Sequence, residues 1–268
     1  MKTKSLGFIG GGRITRIILQ AFVNKKAIFS SISVFDTNAD TLRSLKQKFP
    51  FIEILDSVSE AARKDIVFMA LHPPIIMDTL QSIAKDVNHK TIFISLAPKI
   101  TISKMASVLT PIEYIARLIP NATSVINHGY NPVSFGPGVP DIEKAYILEM
   151  LNLMGETFET AEEKLEAYAL LSAMLPTYFW FQWKELETLG IEFGLTEAEC
   201  RESIFETVNA ALNTMYHSGL TAEEVMDLIP VKPIGESEAQ IKGIYDEKLK
   251  ALFGKIKPER LILSDSIN

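Results

Sequence analysis

The chain has 268 residues, 47% of them hydrophobic, enough to bury one substantial core and a second, smaller unit. Its net charge of −6, with a pI near 5.4 and no long basic run, excludes the electrostatic footprint of a nucleic-acid-binding protein. A single cysteine, Cys200, leaves neither a disulfide framework nor a thiolate zinc site within one chain and fits a reducing cytoplasm.

The first elements lie in SLGFIGGGRITRIILQAFV, where an apolar run (Leu6 to Ile9) meets Gly10, Gly11 and Gly12. Ile14, Ile17, Ile18, Ala21 and Phe22 then follow at helical spacing. Gly10 and Gly12 occupy the first two glycine positions of G-x-G-x-x-G, the turn that lets a pyrophosphate approach bare backbone; Thr15 takes the third. A helix starting there aims its free N–H groups at phosphate oxygens. A second strand, Ile32 to Asp36, ends in an acid 24 residues after Gly12 (36 − 12), where a ribose-binding carboxylate is expected. The alternative for Asp36 is that it opens the turn DTNAD and caps the following helix.

Next come a helix (38–48), a short strand (52–55) and Ser57-Val58-Ser59-Glu60, whose capping-box spacing starts another helix. Asp65 to Leu71 and Thr91 to Leu96 are almost continuously apolar, as strands covered on both faces must be, with a crossover helix over 73–87. Glu113 to Ile119 reads as one more strand, and Asn131 to Gly138 as a loop with a short edge strand. A helix (141–154) and a strand (156–159) complete this half. From about 161 the pattern is helical: 164–173, 176–193, 196–217, 222–229 and 236–255. The expectation is an α/β chain: a Rossmann-type doubly wound parallel sheet over 1–160, then an all-α domain over 161–268.

Seventeen uncharged residues, Ala167 to Trp183, contain Ser172, Pro176, Thr177 and Gln182, so they read as two helix segments meeting at Pro176 and not as a membrane span. With Tyr178, Phe179, Trp180, Phe181 and Trp183, the second segment is apolar on nearly every side and needs cover all round. Some 110 residues are too few to provide it (268 − 160 = 108), so a homodimer through this region is expected, with larger homo-oligomers left open. His89, His128 and His217 have no partner at metal-ligand spacing, and no metal site is expected.

Taken together, GFIGGG, ALHPPII, ARLIPNAT, LLSAMLPTY and KPIGES resemble, in order and spacing, the landmarks of the pyrroline-5-carboxylate reductase family across nearly the full chain. The resemblance implies an N-terminal Rossmann domain, a helical dimerisation domain and reduction of a carboxylated cyclic imine by NAD or NADP in reduced form. It also implies cofactor contacts from Gly10, Gly11, Gly12, Arg13 and Ile14, where Arg13 replaces the usual Asn or Gln. Ser57 matches an Asn near the adenosine, with helix capping as the alternative. Ala70, Leu71, His72 and Pro73 match Ala-Val-Lys-Pro beside the cofactor, and Asn121 matches the Asn of Met-Pro-Asn-Thr-Pro.

The departures cluster at the substrate. Ser172-Ala173-Met174-Leu175-Pro176-Thr177-Tyr178 stands where the family has Ser-Gly-Ser-Gly-Pro-Ala-Tyr, so both glycines that let substrate approach the backbone are gone. Lys232-Pro233-Ile234-Gly235-Glu236-Ser237 stands where it has Ser-Pro-Gly-Gly-Thr-Thr. Gly235 is retained, Glu236 adds a charge, and Ser237 takes the place of the hydroxyl that bonds the imine nitrogen. Besides an imine reductase with altered substrate, two readings remain: a dinucleotide-binding regulatory or interaction protein without catalysis, and a reductase of another small acid or carbonyl.

Overall fold

A computed structural model describes residues 3–109 and 113–258. Strands β1 (Ser5–Ile9), β2 (Ser31–Phe35), β3 (Glu53–Ile54), β4 (Ile66–Met69), β5 (Ile92–Ser95) and β6 (Ile115–Leu118) are parallel. They alternate with α1 (Arg13–Asn24), α2 (Ala39–Lys48), α3 (Val58–Ala62), α4 (Pro73–Ile83) and α5 (Ile102–Ala106). β7 (Gly129–Phe135) returns antiparallel to β6, and β8 (Gly155–Glu159), reached through α6 (Asp141–Asn152), pairs parallel to β7. The sheet order is β3-β2-β1-β4-β5-β6-β7-β8, so the chain winds outward in both directions from the β1/β4 junction. Open α/β sheets bind ligands at the carboxyl ends of the strands beside such a junction.

Alternation along the strands divides the core between the two faces. Leu6 and Phe8, Ile66 and Phe68, and Ile92 and Ile94 pack on one side with Ile18, Leu19 and Phe22 of α1. Ile9, Val67, Met69 and Phe93 pack on the other with Ile76, Leu80 and Ile83 of α4. Every residue of β4 and β5 is buried, which explains why all but Ser95 are apolar.

The expected edge strand at Asn131 to Gly138 needs correction: β7 is seven residues long, starts at Gly129 and lies inside the sheet, with β8 as the edge. Pro132 is tolerated there because it lies just past Leu118↔Val133, the last register pair of β6. Its missing N–H costs one bond at the ladder's end, while its carbonyl still accepts from Ile119 N–H at 3.0 Å.

The chain divides into two compact units, residues 1–173 with 253–268 and residues 174–252. The first unit takes in residues 162–173, which form a 3₁₀ turn (Glu162–Lys164), α7 (Leu165–Tyr168) and a π-helical turn (Ala169–Ala173). Leu165 and Ala169 pack there with Ile119, alongside Ala173 and Ile256. Residues 110–112 and 259–268 lie outside the described residues.

The second unit contains α8 (Pro176–Glu192), α9 (Glu197–His217), α10 (Ala222–Asp227) and most of α11 (Glu238–Ile256). α9 and α10 begin at Thr196 and Thr221 with reciprocal capping boxes to Glu199 and Glu224. Cys200 is the one buried residue among the described residues of this unit, and a Cβ on Gly190 of α8 would meet its Sγ at 2.6 Å. No helix among the described residues is long and apolar enough to cross a membrane.

Candidate dinucleotide site

The turn after β1 lies between the ends of β2 and β4. Gly10 N–H donates to Phe35 O at 2.8 Å, and Ala70 N–H to Ile9 O at 2.8 Å. Gly10 has φ +105°, and a Cβ there would meet the Ala70 carbonyl oxygen at 2.4 Å, so both conformation and space demand glycine. Gly12 is the N-cap of α1 and has open space where a Cβ would stand. That bare backbone at a helix N-terminus fits a pyrophosphate. Arg13 and Arg16 are exposed in the first turn of α1, which has no acidic residue, and Ile14 packs inward against the core.

Two interactions lock the turn. Buried Thr15 donates its hydroxyl to Gly10 O at 2.6 Å, which accounts for threonine at the third motif position. Asp36 accepts from Gly11 N–H through Oδ2 at 2.7 Å and from Asn38 N–H through Oδ1 at 2.8 Å. The carboxylate therefore closes the turn DTNAD and braces the glycine loop. Each oxygen retains a second acceptor direction for a ribose hydroxyl.

Ala70, Leu71, His72 and Pro73 follow β4 at the same sheet edge. His72 is exposed at the N-cap of α4 without a side-chain cap bond, and Pro73 fills the first helical position. Ser57 stands at the end of the β3 connection and caps α3, accepting from Glu60 N–H at 3.4 Å and donating to Glu60 Oε1 at 3.1 Å. Its hydroxyl thus caps the helix.

Asn121, expected beside the cofactor, is turned into the protein. Its Nδ2 donates to Ser172 O at 2.9 Å, while its Oδ1 accepts from Thr123 N and Oγ1 at 3.0 and 2.9 Å. The Asn121 N–H donates in turn to buried Asn131 Oδ1 at 2.8 Å. Ser172 is buried and donates its hydroxyl to Tyr168 O at 2.8 Å; Ala173 closes the π-helical turn.

In the second unit, Met174 O accepts from Thr177 N and Oγ1, Leu175 is half-exposed, and Pro176 opens α8. Burial, with Tyr245 nearby, raises the pKa of the Tyr178 phenol and keeps it a neutral donor. Gly235 and Ser237 form a 3₁₀ turn ahead of α11, with Ser237 exposed and its N–H donating to Ile234 O at 3.0 Å.

One cluster escaped the sequence reading. Arg117 of β6 is wholly buried, with Nη1 donating to Glu162 Oε1 at 3.0 Å and Nη2 to Glu166 Oε1 at 2.5 Å. An arginine inside the apolar run EYIARLI was its one visible signal. Beside it, Glu162 lines a cavity of about 700 Å³ with Ile102, Ser134, Phe135 and Pro137.

Residues 5–99 match the family described as NADP oxidoreductase, coenzyme F420-dependent. Over 252 residues the chain is 21% identical to pyrroline-5-carboxylate reductase of Corynebacterium melassecola, covering 93% of each. It is 23% identical to the Escherichia coli enzyme over 250 residues, 92% of each. Among solved structures it superposes on Plasmodium falciparum pyrroline carboxylate reductase with NADP bound (TM-score 0.73, 19% identity, covering 96% of this chain and 95% of that one). The pyrroline-5-carboxylate reductase of Coxiella burnetii gives a TM-score of 0.69 at 22% identity, with 96% and 95% covered. The Rossmann-type fold with its helical C-terminal part is shared, and the resemblance to this family spans more than nine-tenths of the chain.

Replacing Thr15 by Val keeps the shape but leaves the buried Gly10 carbonyl without its donor. Stability should fall by about 1–3 kcal/mol and dinucleotide affinity should fall with it, as measured by denaturant unfolding and calorimetric titration. Unchanged affinity in the folded variant would show that the lock does not shape the turn.

Proposed function

We propose that the protein is an NAD(P)H-dependent reductase of a small cyclic imine, of the pyrroline-5-carboxylate to proline type, with an altered substrate pocket. The observation that carries this reading is the bare-backbone turn at Gly10–Gly12, braced by Asp36 and facing Ala70, on a chain similar along its length to reductases of that name. Gly10 to Ile14 would hold the pyrophosphate, Asp36 the ribose, and Ala70 to Pro73 the wall beside the reactive ring. The bound cofactor supplies the hydride. The protein's part is alignment, exclusion of water and stabilisation of the nitrogen as it becomes an amine.

Ser237 is assigned as the donor to that nitrogen, with Gly235 shaping the turn that presents it. Its hydroxyl makes no bond to another described residue, which leaves it free to donate. Ser172, Ala173, Met174, Leu175 and Pro176 are assigned as the wall that sets specificity. Ala173 and Leu175 in place of glycine, with Met174 in place of serine, remove backbone access and add apolar volume. A small carboxylated ring should therefore bind worse than in the relatives, and a bulkier, less acidic imine comparatively better.

The functional unit is proposed to be a homodimer formed through the second unit. Trp180 (47% exposed), Phe181 (67%), Phe205 (64%) and Leu212 (53%) would otherwise face water, and three of them line a groove of about 500 Å³ with Trp183, Ile204 and Val208; Phe181 stands outside it. A 79-residue unit that buries a single side chain does not hold itself together by its own core (252 − 173 = 79).

Three outcomes test these assignments. The Asp36 carboxylate should repel a 2′-phosphate, so NADH should bind at least as tightly as NADPH; NADPH binding tighter by more than about tenfold, or ~1.4 kcal/mol, would contradict it. Light scattering at micromolar concentration should find a dimer or larger assembly, and a folded monomer would refute the association. Ser237→Ala should lower turnover roughly 10- to 100-fold with cofactor affinity nearly unchanged. Full activity with a lowered melting temperature would return Ser237 to a structural role.

A further inference from the structure

We infer that Arg117, Glu162 and Glu166 form a charged clamp that positions the π-helical turn Ala169–Ala173, making Arg117 and Glu166 positioning residues for the substrate; this rests on the proposed reductase reading. Arg117 has no exposed surface and Glu166 is 1% exposed. Buried ion pairs of this kind are commonly no more stable than apolar residues of the same volume, so stability alone does not account for keeping the charges. The pairing is also incomplete: among the described residues, Arg117 Nε and Glu166 Oε2 are buried without hydrogen-bond partners. What the arrangement does is tie several segments together through the two carboxylates that the guanidinium holds.

Each carboxylate holds a backbone N–H as well as the arginine. Glu166 Oε1 accepts from Lys99 N–H at 3.1 Å, and Glu162 Oε1 from Ile102 N–H at 2.7 Å. The loop after β5, β6 and the segment from Glu162 onward are thereby fastened at one point. Lys99 has φ +74°, a costly conformation for a side chain of this size, and its N–H points at Glu166.

A second tie lies four residues along the chain from Arg117, where Asn121 Nδ2 holds Ser172 O. One tie precedes residues 169–173 and the other holds Ser172 within them. A π-helical turn has poorer packing and hydrogen bonding than an α-helix and persists where its ends are held. From Ala173 the chain runs directly into Met174 and Leu175, the residues assigned above to the specificity wall. A permanently charged fork of fixed direction suits such an anchor better than lysine.

The test is the Arg117→Met/Glu166→Leu double variant, which removes both deeply buried charges and so leaves neither unpaired. It should keep NADH affinity within about twofold, while amides of 169–173 exchange at least about tenfold faster and KM for the best imine rises about tenfold or more, kcat changing less. A folded double variant with unchanged exchange and unchanged KM would overturn the clamp. Should that variant fail to fold, Arg117→Lys retains the charge and loses the fork; it is expected to show the same faster exchange, and unchanged exchange would again overturn the proposal. If the wild-type protein reduces no imine, the reductase reading fails, while the exchange measurements still decide the clamp.

Discussion

The contact on which the rest of the site depends is the approach of Gly10 to the end of β4. With φ +105° and a carbonyl oxygen 2.4 Å from where a Cβ would stand, this residue lets β1 turn sharply between β2 and β4. Thr15 fixes the carbonyl of the turn and Asp36 an N–H of it, so the loop enters binding already shaped. Less ordering is then needed when a dinucleotide arrives. The sheet supplies the frame: β2, β1 and β4 lie side by side, so Asp36, Gly10 and Ala70 follow their ends at a common edge.

What was legible in the sequence was what is encoded locally. The glycine turn, the acid closing β2 and the apolar runs of β4 and β5 each fit within a few residues, and the structure places all of them as expected. β7 was not legible as an interior strand, because Asn131, Pro132 and the glycines around them carry the composition of a loop. Its pairing depends on β6 ending beside Pro132, whose missing N–H costs only the last bond of that ladder. The Arg117 cluster and the Asn121–Ser172 bond join residues 45 to 51 positions apart, and no periodicity records such a pairing. The unit boundary at 173/174 follows from the same ties, since they hold residues 162–173 to the sheet although their sequence is helical.

The substrate side carries the chain's individuality. On the proposed reading its cofactor edge follows the motif of the reductases it resembles, whereas Met174, Leu175 and Glu236 depart from theirs. On the same proposed reading, association and specificity have a common origin in the second unit, which exposes large apolar side chains and contains most of the altered residues. Thr15 and Asp36 keep the dinucleotide turn independent of those changes, so a binding site for the cofactor can persist while the substrate changes.

The most direct test of a retained cofactor edge with an altered pocket is the oxidation of NADH and NADPH followed with pyrroline-5-carboxylate and with larger cyclic imines that lack the carboxylate. The account predicts turnover with the better cofactor and a higher kcat/KM for a larger, less acidic imine. A clear preference for pyrroline-5-carboxylate would contradict the altered pocket, and tight cofactor binding with no oxidation by any imine would identify a dinucleotide-binding protein without this chemistry.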